Sequence, residues 1–205
     1  MHISFRRKVL LVGACFWAAA SAQGQQMQSQ ITQIVDSLDV AVVYNPLVAN
    51  VVNGNRFSMQ GGSAQLHSQF WHGLGVVADL SELHSAHMSG SGAGLDMLTA
   101  AFGPRYTWSP AHRHYSVFGQ VLAGEANGMN SVFPTSAGLV DNAHSLALYI
   151  GGGVNLNLSH LNRHLTLRAF EADWLHTQMP NATTGVQNNL RLGAGLIFQF
   201  KPRER

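Results

Sequence analysis

Between Leu190 and Phe200 the side chains alternate almost without fault. Leu190, Leu192, Ala194, Leu196, Phe198 and Phe200 fall on one parity, and Arg191, Gly193, Gly195, Ile197 and Gln199 on the other. Successive side chains of a strand point to opposite faces, so this segment has one apolar wall and one mixed, partly charged wall. A soluble sheet buries its apolar face under a second layer, and no part of the chain reads as a covering helix. The pattern predicts a transmembrane barrel strand. Lipid meets the apolar row, a narrow lumen meets Arg191 and Gln199, and the strand ends on aromatics at the membrane interface.

The same period recurs upstream. Leu38, Val40, Val42 and Tyr44 oppose Asp39, Ala41 and Val43; Ala64, Leu66, Ser68 and Phe70 oppose Ser63, Gln65, His67 and Gln69; Leu74, Val76, Ala78 and Leu80 oppose Gly75, Val77, Asp79 and Ser81. A fourth segment sets Leu98, Ala100, Phe102, Pro104, Tyr106 and Trp108 against Thr99, Ala101, Gly103, Arg105 and Thr107. A fifth, Tyr115 to Ala126, is less regular, and a sixth sets Leu146 through Leu158 against Ser145 through Asn157. The seventh breaks parity: Leu165 and Leu167 oppose Thr166 and Arg168, but Glu171 and Asp173 then fall on the apolar row. Carboxylates facing lipid are costly, so a β-bulge near Ala169 or Phe170 is predicted to return both to the lumen.

The connections alternate in length. Asn45 to Met59, Glu82 to Leu95, Asn127 to Asn142 and Gln178 to Asn188 are long; Trp71 to Gly73, Ser109 to His114 and Ser159 to Arg163 are short. Eight strands with short turns at one rim and long loops at the other form an all-β, antiparallel, up-and-down transmembrane barrel. A soluble lipocalin-type barrel is the alternative, but it needs no lipid-facing exterior.

Only 11% of the 205 residues are charged, well below the share in soluble domains, and 21 are glycine. Arg6, Arg7 and Lys8 precede an apolar run from Val9 to Ala20, and Ala20-Ser21-Ala22 is a signal-peptidase site, so residues 1–22 are read as a cleaved leader. Without those three cations the 12 basic residues fall to 9 against 10 acidic ones, a net charge of −1 that disfavours nucleic acid as a partner. Cys15 lies inside the leader, in Val12-Gly13-Ala14-Cys15, which is similar to a lipoprotein box. Phe16 to Ala20 carries the apolar run on to the alanine site, which is the expected cut. The remainder then has no cysteine, hence no disulfide framework. Residues 23–35 read as a Gln-rich solvated arm, 36–200 as the barrel and 201–205 as a basic tail.

Several short motifs, in order, extend this reading: Gly61-Gly62-Ser63-Ala64, Gly73-Leu74-Gly75-Val76-Val77-Ala78-Asp79, Phe102-Gly103-Pro104-Arg105-Tyr106, Phe118-Gly119-Gln120-Val121-Leu122, Gly151-Gly152-Gly153-Val154-Asn155, Arg168-Ala169-Phe170-Glu171-Ala172-Asp173 and Asn189-Leu190-Arg191-Leu192-Gly193-Ala194-Gly195. Together they resemble the small OmpA-like outer-membrane proteins over most of Asp36 to Phe200. The resemblance implies an eight-stranded barrel in the bacterial outer membrane, surrounded by lipid and lipopolysaccharide. It also implies Phe198 and Phe200 as an assembly signal for the barrel-assembly machinery and, as for most relatives, no established activity. The peptidoglycan-binding domain that follows the barrel in OmpA is not expected here.

Parity points Asp39, Asp79, Arg105, Arg168, Glu171, Asp173 and Arg191 inward. An eight-stranded barrel encloses little more than its own side chains, so these charges are expected to pair and plug the lumen. A narrow, low-conductance channel is the second reading. A lipid A-modifying enzyme is the third: His87-Met88-Ser89 and His114-Tyr115-Ser116 are similar to the His-x-Ser pair of a deacylase, but neither sits on a lipid-facing strand near the outer leaflet. The eleven histidines, among them His84, His87, His112 and His114, show no ligand spacing, so neither a metal nor a cofactor is expected. The long loops carry isolated apolar residues, Met88, Met129, Val132 and Phe133, and read as solvated.

Overall fold

The computed structural model describes residues 37–52, 55–87, 94–111, 113–136, 138–158, 162, 164–181 and 185–201. The expected leader and the Gln-rich arm lie outside the described residues. Among the described residues the strands are β1 (Ser37–Val52), β2 (Asn55–Trp71), β3 (Leu74–Ser85), β4 (Leu95–Trp108), β5 (Tyr115–Met129), β6 (Phe133–Thr135), β7 (Gly138–Val140), β8 (Ala143–Asn157), β9 (Leu165–Thr177) and β10 (Gln187–Lys201). Eight of them pair antiparallel in chain order, β10 pairs back to β1, and the sheet closes into a barrel without an edge. The β6–β7 pair is a separate two-stranded hairpin between β5 and β8.

The β2–β3 turn shows why connections on one side are short. His72 and Gly73 both have positive φ, 43° and 96°, the two-residue geometry that matches the twist of adjoining strands. A Cβ on Gly73 would lie 2.3 Å from the Thr107 carbonyl oxygen, so only glycine lets the turn pack against the end of β4. This turn, the β4–β5 and β8–β9 turns, the start of β1 and the end of β10 lie together at one end, called here the turn rim. The longer connections gather at the loop rim.

The break in parity on β9 is resolved by a bulge. Val154 pairs with Phe170 and Asn155 with Arg168, so Ala169 has no partner of its own on β8. Ala169 and Phe170 both face outward, and beyond them Glu171 and Asp173 return to the interior. One inserted residue thus keeps Arg168, Glu171 and Asp173 on the same face despite their odd and even numbers.

Three of the expected long loops differ from expectation. Asn45 to Met59 is not a long loop, because β1 continues to Val52 and β2 begins at Asn55, with Leu47 opposite Met59 and Ala49 opposite Phe57. Likewise β3 runs on to Ser85, and the expected loop from Asn127 to Asn142 contains the end of β5, the β6–β7 hairpin and exposed turns. The extra strand follows the period-2 rule with its chemistry reversed. Below Leu80 the outward residues of β3 are apolar, and above it they are Glu82 and His84, while Leu83 points inward and is fully buried. On β2 the outward row changes in the same way from Leu66 and Ala64 to Gln60, Ser58 and Arg56.

The barrel is thus two structures end to end. Its lower part has an apolar exterior and a polar interior, as a lipid-embedded barrel requires. Its upper part, toward the loop rim, has a polar exterior and an apolar core of Leu47, Met59, Leu83, Leu95, Met97 and Leu122, as a water-soluble β-protein does. The lower exterior ends in exposed aromatics, Phe70, Trp71, Tyr106, Trp108, Tyr115, Phe198 and Phe200, at the turn rim.

Candidate functional site: the plugged lumen

All seven predicted charges are buried in the lumen, and six of them converge on one network. Arg191, on β10, donates to Asp79 Oδ1 at 3.0 Å, to Asp173 Oδ2 at 2.8 Å and to Glu171 Oε1 at 3.4 Å. Arg168 Nη1 donates to Glu171 Oε2 at 2.8 Å and Arg168 Nε to Asn155 Oδ1 at 3.2 Å. The bulge makes the Arg168–Glu171 pair possible, since without it the two side chains would leave the strand on opposite faces.

Arg105 is held differently. Its Nε donates to Gln120 Oε1 at 3.0 Å and its Nη2 to Gln65 Oε1 at 2.7 Å; Arg168 also donates to that Gln65 oxygen. The ring of Phe118 lies 4.5 Å from the Arg105 guanidinium carbon and 4.6 Å from that of Arg168, and Tyr149 stands in the same relation to Arg191 at 4.5 Å. Aromatic faces stabilise guanidinium groups where water is excluded. Phe118 therefore lies inside because it serves two arginines.

Gln65 and Gln120 join the charges. Each accepts from arginine through its oxygen and donates through Nε2 to carboxylates: Gln65 to Asp79 at 2.8 Å and Glu171 at 3.0 Å, Gln120 to Glu171 at 3.0 Å and Asp173 at 2.9 Å. A neutral amide with both polarities satisfies like charges on either side of it without adding a charge. Above the network, Tyr149 bonds Thr99 at 2.6 Å and Thr99 bonds Ser81 at 2.6 Å. Past that layer the core is mostly hydrocarbon, with Thr177 and Gln187 among its buried polar side chains.

Asp39 stands apart. It lies nearer the turn rim and pairs with His67 Nδ1 at 3.1 Å instead of joining the arginines. Sequence parity places it inward without naming its partner; His67, Gln65, Gln120, Phe118 and Tyr149 are lumen residues that carry no carboxylate or guanidinium to mark them. All five sit on inward parity. Phe198 and Phe200 are exposed on the outer wall of β10.

The histidine motifs disperse. His84 bonds Asp96 on the outer face above the apolar band, and His87 is exposed. His112, and Ser89 of the His87-Met88-Ser89 motif, lie outside the described residues. Ser116 faces the lumen side of β5 while His114 is in the preceding turn. Among the described residues, no group of three His, Cys, Asp or Glu side chains lies within reach of one metal ion.

No family model matches the chain and no curated protein is similar to it. Solved structures are similar in fold. Neisserial surface protein A aligns with a TM-score of 0.60 over 80% of this chain and 97% of its own, at 11% identity. The chain has the fold of the small eight-stranded outer-membrane barrels. Ail, the attachment invasion locus protein of Yersinia pestis, aligns at 0.51 over 79% of this chain and 98% of its own, at 14% identity. The likeness is to OmpA-like barrels, and at these identities it lies in the backbone.

Proposed function

We propose that this protein is an integral outer-membrane barrel with a structural or surface-interaction role, its lumen closed by its own side chains. One observation carries the reading: the lumen is sealed twice in series. The Arg–carboxylate–amide network blocks it with fully engaged charges, and the largely apolar core above blocks it again, the buried Thr177 and Gln187 there being bonded to each other and Gln187 to the Met179 main chain. A narrow channel would require water to pass both layers, and the apolar layer favours dewetting. On this reading the loop rim faces outward, the apolar band meets outer-membrane lipid and lipopolysaccharide, and Phe198 and Phe200 are presented to the barrel-assembly machinery. Among the described residues the lumen offers no catalytic arrangement, and Ser116 of the His114-Tyr115-Ser116 motif faces the lumen side of β5, off the lipid-facing wall.

The test is conductance. Refolded barrel inserted in a planar bilayer is expected to give no discrete current steps, in a preparation whose closure is shown by a heat-dependent mobility shift in SDS. Reproducible unit steps from that preparation would replace this reading with the channel.

A further inference from the structure

The turn rim carries charge that neither the lumen network nor the apolar band explains. By sequence its three connections and the end of the chain, residues 71–73, 109–114, 158–164 and 201–205, hold Arg113, Arg163, Lys201, Arg203 and Arg205 against Glu204, to which only Asp36, just before β1, adds a second acid. Across the apolar band the sign reverses. Glu82, Asp96, Glu125 and Asp141 lie outside the lumen on the loop side, and among the described residues Arg56 is the one Lys or Arg there.

The turns are held side by side. In each, the last residue gives its carbonyl to the amide of a neighbouring strand: Gly73 accepts from Thr107 at 2.8 Å, His114 from Asn157 at 2.7 Å and His164 from Gln199 at 2.8 Å. These bonds run in barrel order, from the β2–β3 turn to the end of β4, from the β4–β5 turn to the end of β8, and from the β8–β9 turn to the end of β10. The three turns and the end of β10 are thus one arc. His164 is tied a second time, its Nδ1 donating to the Gln199 carbonyl at 2.8 Å. The two longer turns also close on similar sequences, Arg113-His114-Tyr115-Ser116 and Arg163-His164-Leu165-Thr166.

The arc lies beside interfacial aromatics. Trp108 directly precedes the β4–β5 turn and Tyr115 follows it; Trp71 precedes His72, their rings edge to face at 5.4 Å; all three aromatics are exposed. Such aromatics mark the level of lipid headgroups, so a guanidinium within a few residues of them meets phosphate instead of hydrocarbon. Among the described residues Arg113 is the exposed guanidinium of the arc.

We infer that the turn rim is a docking collar for anionic phospholipid headgroups of the leaflet it adjoins, with Arg113 as a phosphate anchor. Charge complementarity selects the occupant: a headgroup of net negative charge, such as phosphatidylglycerol, is drawn to the arc, and a zwitterionic one is not. The adjoining aromatics favour lipid over an acidic polymer in the water beyond, because they hold the arc at headgroup depth. The inference rests on the apolar band being embedded in lipid, and adds which lipid gathers at one end of it.

The test measures which lipid touches the turn-rim tryptophans. The full chain with Trp17→Phe and Trp174→Phe keeps Trp71 and Trp108 as its fluorophores. It is refolded into vesicles of phosphatidylcholine with increasing phosphatidylglycerol, one lipid or the other carrying bromine on its acyl chains, so that quenching reports the lipid in contact. The expected result is about a fivefold preference for phosphatidylglycerol, falling below about twofold when Arg113→Gln and Arg163→Gln are added with the heat-dependent mobility shift intact. Salt at about 0.5 M is expected to lower the preference of the unaltered rim in the same way, a readout that does not depend on the double variant folding. A chain that keeps only Trp174, on the outward face of β9 toward the loop rim, is expected to show no preference. Equal quenching by the two lipids at Trp71 and Trp108, an equal preference at Trp174, or a preference that persists in the double variant overturns the proposal. So does co-sedimentation with purified cell-wall sacculi that the double variant abolishes, which assigns the arc to an acidic polymer. Absence of quenching by either brominated lipid overturns the lipid-embedded reading itself, so its failure is told apart from a failure of selectivity.

Discussion

Arg191 is the residue on which the polar lumen depends, because among the described residues it alone contacts three carboxylates. Burying ions is costly, and such a network is retained only when every member is engaged; removing one partner leaves the others as uncompensated charges. Arg191→Met is therefore expected to lower stability by about 3–5 kcal/mol in urea unfolding of the barrel in lipid vesicles. Adding Asp79→Asn and Asp173→Asn to that variant should recover part of the loss, because the abandoned charges go with the arginine. A loss of less than about 0.5 kcal/mol for Arg191→Met would show that water solvates the carboxylates, and the lumen would not be closed. At this scale the sequence reveals sidedness and conceals partnership. Alternation alone placed Arg105, Arg168 and Arg191 inward, because a charge on the lipid row is too costly to occur there. It could not show that Gln65 bridges Asp79 to Glu171, since those pairs are 14 and 106 residues apart and meet only when the barrel closes. Asp39 shows the opposite failure: its inward parity suggested the shared network, yet its height in the barrel gives it to His67.

Among the elements, β9 is the one whose irregularity is functional. Its bulge at Ala169 was legible because Glu171 and Asp173 broke an otherwise apolar row, and only an inserted residue could restore them. Deleting Ala169 forces a choice with no good outcome. Either Glu171 and Asp173 turn toward lipid, or Arg168 and Thr166 do, and in both cases the Arg168–Glu171 pair is lost. The expected result is a chain that shows no heat-dependent mobility shift after refolding. Deleting Ser136 in the β6–β7 connection should leave the shift in place, because that hairpin pairs outside the barrel ladder. A ΔAla169 protein that still shifts would mean that the strand slides to a new register and that the bulge is incidental. The loop-rim ends of β1 and β2 were not legible, for a physical reason. Asn45 and Pro46 are turn residues by composition, but in a barrel whose neighbours already present a ladder, backbone hydrogen bonding outweighs local preference.

For the whole molecule, the reversal of polarity along the wall is a ruler for the membrane. Reading every strand as apolar outside and polar inside assumed one solvent along its full length. The strands pass through two, and the outward row turns polar where lipid gives way to water. That places the upper boundary between Ala64 and Gln60 on β2 and between Leu80 and Glu82 on β3, with the exposed aromatics of the turn rim marking the lower one. Leu66 and Ser58 lie on one strand and on one parity, both pointing away from the barrel, so an arginine at either meets only the surroundings. Leu66→Arg is expected to cost about 2–4 kcal/mol in vesicle-based urea unfolding, and Ser58→Arg less than about 1 kcal/mol, because the penalty for a cation falls steeply from the bilayer centre to the interface. The contrast should vanish in a detergent micelle thin enough to let arginine reach water from either position. Equal costs in vesicles would mean that lipid reaches Ser58, the upper core would then sit within the membrane, and the polar outward side chains at that height, Gln60, Glu82 and His84, would need partners other than water.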